Sequence, residues 1–298
     1  MESKVITLIL MAGVINQGCS NEKVQYKDEI HILFLHHSVG QCIWDGKQSL
    51  AGKFLKKFKH SALEEDVTCR NQQNGPHYVI SEQTFPKENP YGWNNFPFDY
   101  YNIWVKHAGN KPYMEEPTLE MLSKQYQVII WKHCFPVSDV QQDISPPNVD
   151  SPVKRIENYK LQYLALRQKM HKFPYVKFIV WTGAAQVKTE TNEMDAKRAQ
   201  DFFDWVKKDW DIPGDNIYLW DFRELETDGG LYLLSKNARE GSNSHPNELF
   251  SEQAAKLLAQ RITDVIENNG TKTMLTGVYQ NGIGVDFRHE SLSASYRK

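Results

Sequence analysis

Long apolar stretches are scarce in this chain: past residue 15 no segment is apolar enough to cross a bilayer. A dominant charge is missing too. The 35 basic and 37 acidic residues leave a formal net charge of −2, and the basic ones are dispersed. That excludes the concentrated positive patch a nucleic-acid partner requires. The four cysteines have no Cys-x-x-Cys spacing, which argues against a structural zinc site. Internal repeats are absent. A composition 40% hydrophobic and 24% charged is that of an ordinary globular protein, so disorder is not the default, and 298 residues suffice for one large α/β domain.

The one membrane-directed feature lies at the start. Lys4 precedes an apolar run over residues 5–15 (VITLILMAGVI), too short to span a bilayer but of the length of a signal-peptide core. Gly18-Cys19 and polar Ser20-Asn21-Glu22-Lys23 follow, and the whole resembles a bacterial lipoprotein signal, with Asn16 standing where that pattern usually has an aliphatic residue. The resemblance implies a signal peptide over 1–18, lipidation of Cys19, a linker over 19–29, and an exported protein held at the periplasm or cell surface by a lipid anchor alone. Without Cys19, the remaining Cys42, Cys69 and Cys134 allow at most one intramolecular bridge.

Residues 31–35 (HILFL) form a continuous apolar run of the kind found in buried parallel strands. Residues 128–131 (VIIW), 176–181 (VKFIVW) and 217–220 (IYLW) repeat the pattern. Helical stripes alternate with them: Leu50, Phe54, Leu55 and Phe58; Ile156, Tyr159, Tyr163, Leu166 and Met170, with Ser151-Pro152 as a start signal; Ala199, Phe202, Phe203 and Val206; and Leu249, Ala254, Leu257, Leu258 and Ile262. Strand–helix alternation predicts right-handed crossovers and an α/β three-layer sandwich, with a flavodoxin-like parallel sheet between helices. The expected domain spans 30–270. Residues 75–117, rich in Pro, Asn and aromatics, read as a loop insert with one short helix, and 271–298 as an extension with a hairpin signal at Asn281-Gly282.

Directly after the first strand comes His36-His37-Ser38-Val39-Gly40. Ligands of open α/β sheets bind at the carboxyl ends of the strands, so Ser38 occupies a nucleophile's position. A serine requires a base, and His245 in Asn243-Ser244-His245-Pro246-Asn247, just before the last helix, is the candidate. A serine after strand one and a His-Pro-Asn before the last helix (SHPNELFSEQAAKLLA) resemble the first and last sequence blocks of the SGNH, or GDSL-like, hydrolases. In HHSVG the usual Gly-Asp-Ser is absent.

That resemblance implies acyl-enzyme chemistry on an ester without metal or organic cofactor: Ser38 attacks, His245 takes its proton, and backbone N–H groups hold the oxyanion. It also marks two departures. Where the family has Gly-x-Asn-Asp after the third strand, this chain has Lys132-His133-Cys134, leaving Lys132 or His133 as a substitute oxyanion donor; Gly109 is the expected second backbone donor. Where the family has Asp three residues before the histidine, this chain has Ser242, and Glu240, ahead of Asp221 and Asp228, is the expected orienting acid. His37 is expected to line the pocket, and adjacent His36 and His37 point apart, so no metal site is expected. The aromatics of residues 92–104 suit stacking on sugar rings. The sequence therefore reads as an envelope esterase acting on a carbohydrate or other small ester. Its alternative is a non-catalytic SGNH-like surface lipoprotein that binds glycan or peptide.

Overall fold

The computed structural model describes residues 29–46, 61–71, 75–240 and 242–280. The signal segment, Cys19, the linker, the stripe from Leu50 to Phe58 and the Asn281-Gly282 turn lie outside them. Five strands form one parallel sheet: β1 (Glu29–His36), β2 (His77–Thr84), β3 (Val128–Trp131), β4 (Lys177–Trp181) and β5 (Ile217–Trp220), in the order β2-β1-β3-β4-β5. Ile32 to Leu35 and all of β3 are buried on both faces, as continuous Val, Ile, Leu and Trp runs require.

The described helices are α1 (Ser38–Asp45), α2 (Ala62–Thr68), α3 (Pro97–Tyr101), α4 (Leu119–Leu122), α5 (Ile156–Met170), α6 (Glu193–Trp205), α7 (Phe222–Thr227) and α8 (Glu248–Asn268). Leu33, Leu35, Ile129 and Trp131 pack one face of the sheet against α3, α5 and α6. Ile32, Phe34, Ile130 and Trp181 pack the other against α1, α2 and α8. The result is the expected α/β three-layer arrangement.

Three local expectations need correction. The stretch from residue 75 begins with strand β2, an edge strand in full register with β1 and not a loop. Helix α5 starts at Ile156 after Arg155, not at Ser151-Pro152. The Asn158 and Gln162 side chains reach back to the backbone of Asn148, Val153, Val149 and Ser151, holding that segment outside the helix. Leu249, assigned to the apolar stripe of α8, is exposed. In the tail, Thr273 bridges Tyr279 around a turn at Gly277. No helix among the described residues is long and apolar enough to cross a membrane.

The sheet order fixes where chemistry can occur. The chain passes from β1 outward to β2, then returns to the other side of β1 as β3. This makes the carboxyl ends of β1 and β3 the switch point, where the crevice of an open α/β sheet binds ligands.

Candidate active site

Ser38 opens α1 immediately beyond β1 and is exposed, while the flanking His37 and Val39 are buried. His37 is fixed by two contacts: its Nε2–H donates to the Pro86 carbonyl at 2.8 Å, and its ring lies against Trp93, with centroids 4.3 Å apart. Burial, reinforced by the Lys132 charge, lowers its pKa to about 4, so it is neutral at pH 7. His36 is held away from the crevice by Glu82 at 2.7 Å. The loop after β2 thus borders His37, the neighbour of Ser38, and its Trp93 is 41% exposed.

His245 sits on a two-stranded antiparallel hairpin formed by β6 (Ala238–Glu240) and β7 (Asn243–Pro246). Ala238 pairs with Pro246 and Glu240 with Asn243, so Arg239 alone faces two residues, Ser244 and His245. Such a bulge re-aims side chains. Ser244 is buried and accepts from the Val187 N–H at 3.0 Å, while its own backbone N–H and hydroxyl donate to Glu190. His245 stays half-buried with its ring edge-on to Phe135 at 5.3 Å. Strand β7 packs against α1, bringing the imidazole's strand onto the serine's helix.

The His245 tautomer follows from its neighbours. Asn243 Oδ1 accepts the His245 backbone N–H at 3.0 Å, which fixes the amide so that its oxygen faces the histidine. The same oxygen lies 2.9 Å from Nδ1. An acceptor requires Nδ1 to carry the proton, and the neutral ring then keeps its lone pair on Nε2, the form a general base requires. Burial first, then Arg239 and Lys132, lower the His245 pKa, and only Glu190 opposes them. No hydrogen bond joins Ser38 to His245 here; catalytic contacts of this kind often tighten only with substrate.

Glu240, the expected orienting acid, is exposed on β6 opposite Asn243, and the Nδ1 position is filled by Asn243. Asp221 caps α7 and bonds Thr182 at 2.5 Å, and Asp228 ends that helix in the left-handed conformation. Gly109 is a correction. Its carbonyl accepts from the Thr118 hydroxyl at 2.5 Å, two residues before Glu120, which pairs with Lys169 at the carboxyl end of α5. That helix runs back from the carboxyl edge of β3, so Gly109 stands at the opposite edge of the sheet from Ser38.

After β3 the side chains alternate. His133 turns into the α3–α5 layer between Tyr100 and Tyr163 and is fully buried, which removes it as an oxyanion donor. Lys132 and Cys134 turn to the α1 side. Lys132 is fully buried, its Nζ donating to Cys134 Sγ at 3.0 Å and lying 5.9 Å from the Trp181 ring. Removing an ammonium from water costs several kcal/mol, and a cation–π contact returns about 2 kcal/mol. Stability does not explain a lysine here. Its charge acts on His37, Cys42 and His245, so it sits centrally beneath the crevice.

With this geometry in view, comparison with known proteins adds little. No family model and no curated relative matches the chain. Among the solved structures that overlap it is a carbohydrate esterase whose active site is described as displaying divergent catalytic and non-catalytic binding functions. The two share 13% identity over 80% of this chain and 66% of that one, with a TM-score of 0.38. The chain therefore spans somewhat under two thirds of that protein, and so loose an overlap carries no argument about this one.

Sequence reading missed the roles of Asn243, Arg239 and Glu190, and named Trp93 only as one of the aromatics of residues 92–104. Asn243 and Trp93 were visible as residue types, within the stretches already singled out. Their roles depend on a bulge and a loop path that have no periodic signal.

Proposed function

We propose that the protein hydrolyses acyl esters, with Ser38 as nucleophile and His245 as base, and that the ester is carried by a carbohydrate at the cell envelope. Ser38 Oγ attacks the ester carbonyl as His245 Nε2 takes its proton; the alcohol leaves with that proton, and water attacks the acyl-serine by the same route. The Ser38 backbone N–H and Lys132 supply the oxyanion's positive field. The observation that carries the reading is the Asn243 bond, which leaves Nε2 of His245 free on a strand packed against the serine's helix. The exposed Trp93 face beside His37 supports a sugar ring as the alcohol part of the ester, which leaves when Ser38 is acylated.

Purified mature protein is expected to release acetate from acetylated oligosaccharides and chromogenic acetates, with Ser38→Ala and His245→Ala each losing it. Undiminished release by Ser38→Ala sinks the assignment. The second reading, a non-catalytic glycan-binding lipoprotein, is favoured by one feature: the His245 partner is an amide and not a carboxylate. We also propose lipid anchoring at Cys19. Cys19→Ala is then expected to move the protein from the membrane fraction to the soluble one; unchanged membrane association contradicts it.

A further inference from the structure

Arg239 is exposed on β6 and stands opposite the Ser244–His245 bulge. Its guanidinium reaches across to α1, where Nη2 lies 3.3 Å from Cys42 Sγ. Cys42 is one helical turn beyond Ser38, on the same side of α1. The guanidinium therefore spans from the histidine's hairpin to the serine's helix, at the rim of the crevice.

The only acceptor Arg239 meets among the described residues is that thiol, and no described carboxylate forms an ion pair with it. Three acids at this end of the sheet are engaged elsewhere. Glu82 is taken by His36, Glu190 by the Ser244 N–H and hydroxyl, and Asp45 by the Gln41 amide. Lys132, buried below, likewise has a thiol and a ring in place of a carboxylate. A guanidinium presents five donors in a planar fork that matches a carboxylate bidentately, and here most of that fork is unused.

We propose that Arg239 binds a carboxylate of the substrate, so that the ester is carried by an acidic, uronate-type sugar. The inference rests on Ser38 and His245 being the reacting pair, since their position makes the rim of this crevice the substrate's path. A sugar lying over Ser38 between the Trp93 face and Arg239 then presents one apolar face and one anionic edge, and the two contacts together fix its orientation.

Two measurements separate the substrate class from the chemistry. The first is binding, which needs no turnover: calorimetric titration of Ser38→Ala with a galacturonate oligomer and with a neutral galactose oligomer of the same length. Binding at least tenfold tighter to the acidic oligomer, weakening with salt and lost in the Ser38→Ala, Arg239→Gln double variant but partly kept with Arg239→Lys, is the expected result. Equal binding of the two oligomers, or a preference that Arg239→Gln leaves intact, overturns it. The second is kinetic, read on the alkaline plateau of each pH profile because Arg239 also lowers the His245 pKa: Arg239→Gln is expected to raise KM at least tenfold more for an acetylated galacturonate oligomer than for a neutral acetate ester. Loss on both substrates alike means a structural role for Arg239 and also overturns the inference. Failure of the wild type to hydrolyse any ester refutes the esterase reading, and the binding titration still decides the acidic ligand.

Discussion

At His245 the ring's partner is an amide, where the proposed serine hydrolase chemistry commonly uses a carboxylate, and the difference is measurable. An amide in place of that carboxylate lowers kcat by about 10⁴ in serine proteases, through loss of the correct tautomer and of imidazolium stabilisation. Here the backbone N–H holds the amide so that the tautomer is correct, leaving only the missing charge. Asn243→Asp is therefore expected to raise kcat/KM by about tenfold or more. It also raises the His245 pKa. Because burial and two cations lower that pKa in the wild type, the acid limb of its kcat/KM profile is expected below the ordinary histidine value of 6.5, and Asn243→Asp moves it upward. A pH–rate profile of the two proteins checks the sign; a limb that does not move removes Asn243 from the mechanism. Lys132 supplies a second residue-scale test. Lys132→Met removes a buried ammonium, so stability is expected to rise by about 1–3 kcal/mol while kcat/KM falls at least tenfold. A variant with unchanged activity refutes a role for the lysine.

The elements that position these residues differ in how their order is encoded. Helix α8 depends on Asn247, whose side chain accepts from the Phe250 N–H at 2.9 Å and donates to the Lys236 and Ala238 carbonyls. It therefore ties the helix start to the hairpin carrying His245. Asn247→Ala is expected to cost about 1–2 kcal/mol, lowering Tm by a few degrees, and to reduce activity at temperatures where the protein is still folded. Thermal melting beside acetate release checks both; full activity with a lowered Tm confines Asn247 to the helix. Strands β1, β3, β4 and β5 were legible in the sequence because burial on both faces writes them as unbroken apolar runs. Strand β2 was not: an edge strand mixes His77, Ser81, Glu82 and Gln83 with its apolar residues, and the prolines beyond it favour a loop reading. The β6–β7 hairpin carries almost no apolar alternation, so neither the bulge nor the pairing of Asn243 with His245 could be read in advance. The places of Ser38 and His245, at the start of α1 and just before α8, were legible because each adjoins an element with a strong signal. Gly109 was misplaced because nothing in an aromatic insert says which edge of the sheet it returns to.

Across the whole molecule, the carboxyl edge of the sheet gathers more ionisable groups than the proposed reaction needs. Glu226 in α7 is fully buried, accepts the Ala185 N–H at 2.7 Å, and crowds Gly183. Burial raises its pKa to about 8, against hydrogen bonding and the Arg223 and Lys132 charges. A carboxyl whose folded pKa lies above its unfolded value favours the folded state fully below the unfolded value of 4.5 and loses that contribution as pH rises through about 8. Glu226→Gln is thus expected to melt like the wild type near pH 4 and above it at pH 9; parallel melting curves at both pH values contradict the assignment. The sheet topology sets Ser38, Lys132 and Glu226 at the carboxyl end of the sheet, and the hairpin that carries His245 packs against the serine's helix. The central claim is that this crevice activates Ser38. Its most direct test is reaction of the purified protein with a fluorophosphonate probe, with the label mapped by mass spectrometry in wild type and His245→Ala. Labelling at Ser38 that falls at least tenfold in His245→Ala is the expected result; no label on the folded wild type, or a label that ignores His245, contradicts it.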